Sequence, residues 1–260
     1  MTRVTHFRVF AILLVILCAA AGDYGRAPDA AAPPVLVELF TSEGCSSCPP
    51  ADELLERMDA AQPVPGVQLI VLSEHVDYWN HDGWKDPYSS AQLTERQNGY
   101  VHSLGLNTPY TPQFIVDGAT ELKGSASDLA QTLQKAATAP KVAVRITSLS
   151  VDAGSPPLVR GRIDVDGTSQ KRNSEIFVVM ALDHAESQVL RGENTGKHLT
   201  HVAVAQEFIK VGKLEKQKTS SQDFQVKLKP GIDPGNIRII AFVQDSGLGK
   251  VLGASLQKVK

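Results

Sequence analysis

The pattern of hydrophobic residues changes near residue 140, and this change limits the possible folds more than any other feature of the sequence. Up to that point, short apolar runs typical of buried strands alternate with segments whose apolar residues recur every three or four positions, as on a helix. Beyond it, apolar and polar residues alternate, which is typical of strands with one buried face. These strand-like segments are residues 142–149, 158–165, 175–182, 198–208, 224–228 and 237–243. We therefore predict an α/β domain at residues 35–139, followed by an all-β, sandwich-like domain at residues 140–260.

The length and composition agree with two globular domains. The chain has 260 residues, of which 42% are hydrophobic and 21% are charged. This ordinary balance excludes disordered, collagen-like and disulfide-dense chains. Lys and Arg together number 26 against 28 Asp and Glu, so the composition gives no sign of a basic surface for nucleic acid. We therefore exclude nucleic acid as a partner.

A secretory signal peptide is predicted at residues 1–21. Arg3 and Arg8 supply a basic start, residues 9–17 form an unbroken apolar run, and small residues follow, as a signal peptidase requires. Because the run is too short to span a bilayer as a helix, we expect no membrane span in the mature chain. The prediction implies a periplasmic or secreted protein.

The residues around the end of the signal peptide add two expectations. Cys18 ends the apolar run, but lipid attachment there is disfavoured because Leu17 is bulkier than the residue that usually precedes a lipidated cysteine. Residues 22–34 are rich in Ala, Pro and Gly and are predicted to form a tether. Removal of the signal peptide leaves Cys45 and Cys48 as the only cysteines.

This cysteine pair lies between a predicted strand at residues 35–40 and a predicted helix at residues 51–58. Both sulfur atoms would then lie at a helix N-terminus, where unpaired backbone N–H groups and the helix dipole stabilise a thiolate. We expect an exposed Cys45 to attack a substrate, and Cys48, tucked behind it, to resolve the mixed disulfide. The alternative is a structural disulfide, although a loop of four residues gains little stability from a cross-link.

Three segments carry a resemblance to a known family. Val37–Phe40, the Cys-Ser-Ser-Cys motif and Thr111–Gly118 together resemble the thioredoxin superfamily, over about residues 33–139. The string FTSEGCSSCPPAD at Phe40–Asp52 resembles, more narrowly, a bacterial family of predicted secreted proteins with a thioredoxin-like domain and no established function. The resemblance implies that residues 35–139 are thioredoxin-like and exchange thiols and disulfides with proteins or peptides. No organic cofactor is then required, because the cysteine pair itself carries the two electrons.

The same resemblance implies roles for residues outside the motif. Pro112 would follow a cis peptide bond and lie against the cysteines, which leaves the backbone of Thr111 free to pair with an extended substrate. Glu38 would take the place of the buried acid that accepts a proton from the second cysteine. The turn before Cys45 looks one residue longer than in thioredoxins. The alternative for Glu38 is therefore an acid that faces solvent or pairs with a basic side chain.

A loop with both tryptophans of the chain follows the apolar run at residues 68–72. If that run is a strand parallel to the first one, this loop and the cysteines share one edge of the sheet. Because tryptophan often lines grooves that hold peptides, we predict that Trp79 and Trp84, together with Thr111, bind the substrate. The simpler interpretation of the two tryptophans is that their aromatic contacts hold the loop in place. The histidines and aspartates of residues 74–86 match no metal-site spacing, so no metal site is predicted.

Two further polar stretches are predicted to face solvent. Glu43 is expected to be an exposed charge in the loop before the motif. Residues 191–201 contain the Gly and Asn typical of a turn, together with His198 and His201, and are predicted to form a solvated hairpin.

The sequence therefore predicts a periplasmic or secreted thiol–disulfide oxidoreductase. Cys45, Cys48, Pro112 and Glu38 are its candidate catalytic residues, and the β-rich half is a partner-binding or positioning module. The redox partner and the direction of exchange stay open. Two alternatives remain. One is a protein that handles Cu(I) with its two thiolates, and the other is a non-catalytic binding protein with an inert disulfide.

Overall fold

Strands from both halves of the chain join in one eight-stranded mixed sheet. The computed structural model describes residues 32–123, 126–152 and 154–259. Ala32–Lys260 forms one compact unit. Within those described ranges, no helix has the length and apolar character needed to cross a membrane. The predicted signal peptide, residues 1–21, and most of the predicted tether lie outside the described residues.

Eleven strands and three α-helices make up the described part of the chain. The strands are β1 (Pro34–Thr41), β2 (Gln68–His75), β3 (Gln113–Val116), β4 (Thr120–Leu122), β5 (Ala143–Asp152), β6 (Leu158–Asp166), β7 (Ser174–Gln188), β8 (His198–Leu214), β9 (Thr219–Lys227), β10 (Ile237–Asp245) and β11 (Val251–Lys258). The helices are α1 (Pro49–Ala61), α2 (Ala91–Ser103) and α3 (Ala126–Ala137), with a short 3-10 helix at Pro234–Asn236.

The large sheet has the strand order β11-β10-β7-β8-β2-β1-β3-β4, and β5, β6 and β9 form a separate three-stranded sheet. β1 and β2 are parallel over their whole length, so the loops that follow them leave the same edge of the sheet. β2 also pairs in parallel with β8, at Ser73 and Val204. The other pairs are antiparallel.

The predicted fold class, an α/β thioredoxin-like domain followed by an all-β sandwich, is wrong. The large sheet crosses the boundary predicted near residue 140, and strands far outnumber helices. The physical reason lies in β2, whose run Leu69–Leu72 is buried and therefore needs a hydrogen-bonded neighbour on each side. β1 occupies one side along the whole strand, and β8 pairs with the other side at Ser73. Hydrophobic alternation shows which face of a strand is buried, but it does not show which strand becomes its neighbour.

The helices cover both faces of the sheet near its centre. Val37 and Leu39 of β1 pack in a cluster with α1 and α3. Leu36 and Phe40 point to the opposite face, where Phe40 meets Tyr100 of α2. Side chains of β1 therefore alternate between the two sides, and the position of each residue decides which helix it meets.

The second half of the chain also has two packed layers. Val159 and Ile163 of β6 and Phe224 of β9 share a core with Val178 of β7 and Ile239 of β10. The small sheet therefore covers one face of the large one. Strand β8 leaves this arrangement and continues to β2, so the layers do not form a separate sandwich.

Two local structures follow from residues close together in the sequence. The turn between β3 and β4 has positive φ at Asp117 (47°) and Gly118 (59°), which are conformations that Asn, Asp and Gly tolerate best. Helix α1 begins at Pro49, with prolines at its first two positions, where a backbone N–H would lack a partner in any case.

Candidate functional site

Cys45 and Cys48 form a disulfide between the end of β1 and the start of α1. Their Cα atoms are 5.4 Å apart. Cys48 is the N-cap residue of α1, and its carbonyl accepts hydrogen bonds from the N–H groups of Ala51 (2.8 Å) and Asp52 (3.1 Å). The pair is therefore held at the positive end of the helix dipole, as the sequence predicts for this motif.

Both cysteines are fully buried, with 0% of their surface exposed, whereas Ser46 and Ser47 between them are exposed. The expectation of an exposed Cys45 is therefore wrong. Helix geometry alone would leave the first cysteine at the surface, but residues remote in the sequence cover it here.

The cover is the hairpin loop at residues 189–197 between β7 and β8, which we call the cover loop. The side-chain amide of Asn194 donates to the carbonyls of Glu43 (2.8 Å) and Cys45 (3.0 Å). The Glu193 carboxylate accepts a hydrogen bond from the Ser46 N–H (3.0 Å). Asn194 is itself fully buried, so the expectation of a wholly solvated hairpin is wrong at this position.

Both tryptophans of the β2–α2 loop lie beside the motif. The indole N–H of Trp79 donates to the Thr111 hydroxyl (2.7 Å), and that of Trp84 donates to the Glu43 carboxylate (2.7 Å). A Cβ atom added to Gly44 would lie 2.9 Å from Cβ of Trp79, so Trp79 packs against the backbone of the motif. The expectation that this loop and the cysteines share one edge of the sheet is confirmed.

The segment before β3 reaches the same region. The Thr111–Pro112 peptide bond is cis, as predicted for Pro112. Gln97 of α2 donates to the carbonyl of Tyr110 (2.8 Å) and to the side chain of Gln113 (2.9 Å), and so fixes the residues on either side. Through Trp79, Thr111 is connected to the loop that carries the cysteines.

A buried ion cluster lies next to the motif. Nε2 of His201, in β8, is 3.3 Å from Oε1 of Glu43, and its Nδ1 is 3.8 Å from Oδ1 of Asp52 in α1. At most 5% of any of these side chains is exposed, so the expectations of an exposed Glu43 and a solvated His201 are wrong. Burial alone would lower the pKa of His201. The nearby carboxylates of Asp52 and Glu43 outweigh it and raise that pKa to about 9.

A second buried pair supports this cluster. Nδ1 of His75 lies 2.7 Å from the Asp86 carboxylate, which also accepts a hydrogen bond from the Glu43 N–H (2.9 Å). The rings of His75 and His201 are in edge contact, with centroids 4.7 Å apart. Burial favours protonation of Asp86, but His75 and the N–H groups of Glu43 and Tyr88 outweigh it and lower the pKa of Asp86.

Glu38 is buried, but its contacts are on the other face of the sheet. It lies on the side of β1 that bears Leu36 and Phe40, away from α1. The Arg96 guanidinium pairs with its carboxylate, which also accepts a hydrogen bond from the Tyr100 hydroxyl (2.7 Å). Of the two roles considered for Glu38, these contacts favour pairing with a basic side chain.

Arg96 also serves a second buried acid. Its Nε lies 3.5 Å from the carboxylate of Glu74, and its guanidinium is within 4.5 Å of the ring centroid of Phe208. Burial raises the pKa of Glu74 well above its usual range, against the opposing charge of Arg96. Arg96, Glu38 and Glu74 therefore connect α2 to β1 and β2, on the face of the large sheet opposite to α1.

The other polar side chains of the β2–α2 loop have local roles. Asp77 accepts a hydrogen bond from the Thr94 hydroxyl (2.6 Å), and the exposed His81 pairs with Asp82 (3.2 Å). In residues 32–123, 126–152 and 154–259, no group of three or more His, Cys, Asp or Glu side chains is arranged to hold a metal ion.

Sequence reasoning missed three residues of this site. Asp52 had a usable signal, because it follows Cys48 by four positions on a helix and therefore shares its face. The sequence carries no such signal for His201 and Asn194, because each reaches the motif only through the pairing of strands that are distant in the sequence.

Comparison with known proteins agrees with a fold that spans both halves of the chain. A family model described as "Protein of unknown function (DUF1223)" matches residues 36–244. The chain belongs to the DUF1223 family. The family match contains the motif, the tryptophan loop and the cover loop together. A search of curated proteins finds no significant match.

Solved structures give two similar chains of nearly full coverage. The crystal structure of a protein from Agrobacterium tumefaciens has 26% identity and a TM-score of 0.65, over 87% of this DUF1223 chain and 94% of that one. HBP35 of Porphyromonas gingivalis has 15% identity and a TM-score of 0.64, over 88% of this chain and 76% of that one. The second likeness shows the fold alone.

Proposed function

We propose that this DUF1223 protein is a periplasmic or secreted thiol–disulfide oxidoreductase that acts on protein or peptide thiols. The observation that carries the proposal is the Cys45–Cys48 disulfide at the first turn of α1. The basic, apolar and small-residue pattern of residues 1–21 supports export. Disulfide exchange is also common chemistry outside the cytosol.

The position of the disulfide favours chemistry over simple cross-linking. A disulfide provides less stability when the loop it closes is short, and this one closes only four residues, which turns and α1 already order. A helix N-terminus, by contrast, lowers the pKa of a nearby thiol and increases its reactivity at neutral pH. This strand–motif–helix arrangement is similar to the active-site motif of the thioredoxin superfamily.

Each cysteine has a distinct role in the proposed reaction. The Cys45 thiolate attacks a substrate disulfide, forms a mixed disulfide and releases one substrate thiolate. The Cys48 thiolate then attacks the sulfur of Cys45 and releases the second. The substrate gains two electrons and the pair loses two, and the reverse sequence oxidises a substrate dithiol. We assign Trp79, Trp84, Thr111 and Pro112 to the surface that receives the substrate chain.

A second candidate is a non-catalytic binding protein whose disulfide is inert. The full burial of both sulfur atoms favours it, because exchange requires a substrate to reach Cys45. Under the main proposal, the cover loop must move away from the motif before the substrate binds.

The reduction potential of the cysteine pair tests the proposal. The metal-free protein is equilibrated with glutathione or dithiothreitol buffers and its thiols are trapped, with Cys45→Ser and Cys48→Ser as controls for the assignment of the trapped thiols. A reversible potential between about −270 and −120 mV supports exchange and indicates its direction. A potential below about −300 mV identifies a structural disulfide and favours the binding protein instead.

A further inference from the structure

We propose that His201, through the carboxylates of Glu43 and Asp52, sets the charge state of Cys48, so that strand β8 supplies a working part of the redox site. This inference rests on the proposed function. It makes His201 a positioning residue and Asp52 the group that accepts a proton from Cys48.

Asp52 lies on the same face of α1 as Cys48. Asp52 follows Cys48 by four residues, and side chains at this spacing lie one above the other on a helix. Its side chain is 5% exposed, and its Oδ1 atom has no hydrogen-bond partner in the described structure. A buried carboxylate oxygen with free acceptor capacity, one helical turn from a thiol, is suited to receive its proton.

His201 connects the two acids nearest to the cysteine motif. Its ring lies between two acids that flank the cysteines in sequence, since Glu43 precedes Cys45 by two residues and Asp52 follows Cys48 by four. An unpaired buried carboxylate carries a large desolvation penalty, and a protonated imidazole offsets this penalty for both acids at once. A protonated His201 therefore lowers the cost of burying both carboxylates beside the cysteines.

The charges around His201 come from every element packed against it. β8 provides the imidazole, the motif loop Glu43, and α1 Asp52. β2 and the loop that follows it contribute the His75–Asp86 pair, and the phenol of Tyr88 meets the His201 ring at a centroid distance of 6.0 Å. With His201 protonated, the inner group of two acids and one base has a net charge of −1, which opposes formation of a Cys48 thiolate until its proton reaches Asp52.

Cys48 resolves the mixed disulfide after it has lost its proton. In the mixed disulfide, the Cys48 thiol transfers its proton to Oδ1 of Asp52. The Cys48 sulfur then forms a bond to the Cys45 sulfur, and the bond between Cys45 and the substrate sulfur breaks. The electron pair of that bond leaves with the substrate thiolate. The co-reactant is thus a protein or peptide disulfide.

The test isolates Cys48 in a full-length Cys45→Ser background. The rate of its alkylation by iodoacetamide is measured against pH by mass spectrometry. Asp52→Asn removes a negative charge and is expected to move the midpoint of this profile down by about one to two pH units. His201→Gln removes a positive charge and is expected to move it up. If the two residues only supported the structure, neither substitution would have a defined direction of effect on the midpoint. Shifts in opposite directions therefore identify an electrostatic role.

Asp117→Asn is the matched control. Asp117 is also a buried acid with a basic partner, Lys141, but it bonds the backbone of Leu36 at the far end of β1. The pH profile of Cys48 alkylation in the Asp117→Asn variant is expected to have the same midpoint as in the Cys45→Ser parent. Should His201→Gln fail to fold, as judged by circular dichroism, Glu43→Gln replaces it and is expected to shift the midpoint in the same direction as Asp52→Asn.

The inference is overturned if the Asp52 variant shifts the midpoint no more than Asp117→Asn, or if the His201 and Asp52 variants shift it in the same direction. This outcome is distinct from failure of the proposed function. A reduction potential below about −300 mV, together with opposite shifts of the midpoint, would contradict the proposed function only. A potential in the exchange range without opposite shifts would contradict the role of His201 only.

Discussion

At the scale of single residues, the site is organised by carboxylates that the sequence presents as ordinary loop and helix charges. Glu43 illustrates this. Its side chain binds Trp84 and His201, while its backbone binds Asp86 and Asn194. Nothing in the local sequence of Glu43 distinguishes it from a solvated acid, because all four partners belong to other elements. A buried charge with this many partners makes stability depend on pH and on each hydrogen bond.

The protonation of His201 is expected to make stability fall at alkaline pH. Its pKa is raised from 6.5 to about 9 in the folded protein, so the stabilisation is fully present below pH 6.5 and is lost as pH rises through 9. The shift corresponds to at most about 3 kcal/mol of unfolding free energy. Urea unfolding of the oxidised protein between pH 6 and 9.5 measures it. A His201→Gln variant with the same pH slope as the parent would contradict the assignment.

The two indole hydrogen bonds are expected to differ in strength. Trp84→Phe removes a donor from the buried Glu43 carboxylate, whereas Trp79→Phe removes one from the neutral Thr111 hydroxyl. Hydrogen bonds to charged groups contribute about 1.5–3 kcal/mol and neutral ones about 0.5–1.5 kcal/mol. Urea unfolding should therefore rank Trp84→Phe as the more destabilised. The reverse order would mean that Glu43 does not depend on Trp84.

At the scale of elements, the sequence predicted the parts that depend on local chemistry. The helix after the motif and the position of the cysteine pair at its N-terminus follow from signals within a few residues. The neighbour of β2 did not follow, because the apolar run Leu69–Leu72 requires a partner strand without specifying one. The cover loop could not be predicted for the same reason, since its place depends on the β7–β8 pairing.

The close packing of the motif loop on the tryptophan loop is expected to exclude a side chain at Gly44. The added Cβ of Gly44→Ala would lie 2.9 Å from Cβ of Trp79 and 3.2 Å from its carbonyl oxygen, so backbone must move. Overpacking of this kind costs about 1–3 kcal/mol. Gly235→Ala, whose nearest contact is an ordinary 3.4 Å, is the control for thermal unfolding. Equal stability of the two variants would show that the loops can separate freely.

The cover loop is expected to protect the disulfide through Asn194. Asn194→Ala removes both hydrogen bonds to the motif carbonyls and should accelerate reduction of the Cys45–Cys48 bond by dithiothreitol. Thr195→Ala is the control, because its hydroxyl bonds only to Gly192 within the same loop. Reduction rates are followed by thiol trapping. If both variants are reduced at the parent rate, Asn194 does not hold the cover closed.

At the scale of the whole molecule, the shared sheet makes the two halves interdependent. β8 provides a hydrogen-bonded neighbour for β2 and a buried histidine for the ion cluster, and the cover loop over the cysteines leads directly into it. The hydrophobic pattern does change near residue 140, but the strands on both sides of this position belong to one sheet. The pattern therefore reports local structure and does not show that the two halves are independent domains.

A chain ending at residue 139 is therefore expected not to fold. It would expose one edge of β2 and leave Glu43 and Asp52 without His201. Near-ultraviolet circular dichroism of residues 32–139 should show no fixed aromatic environment for Trp79 and Trp84, whereas residues 32–260 should show one. A native-like spectrum from the shorter chain would contradict the interdependence of the two halves.

The separation of 149 positions between Cys45 and Asn194 also sets an order of events during biosynthesis. Both cysteines leave the ribosome long before the loop that will enclose them, by roughly ten seconds at ordinary rates of elongation. During that interval the pair is open to any oxidant that the nascent chain meets. Once β7 and β8 arrive and close their hairpin, further exchange at the pair depends on the protein's own motion.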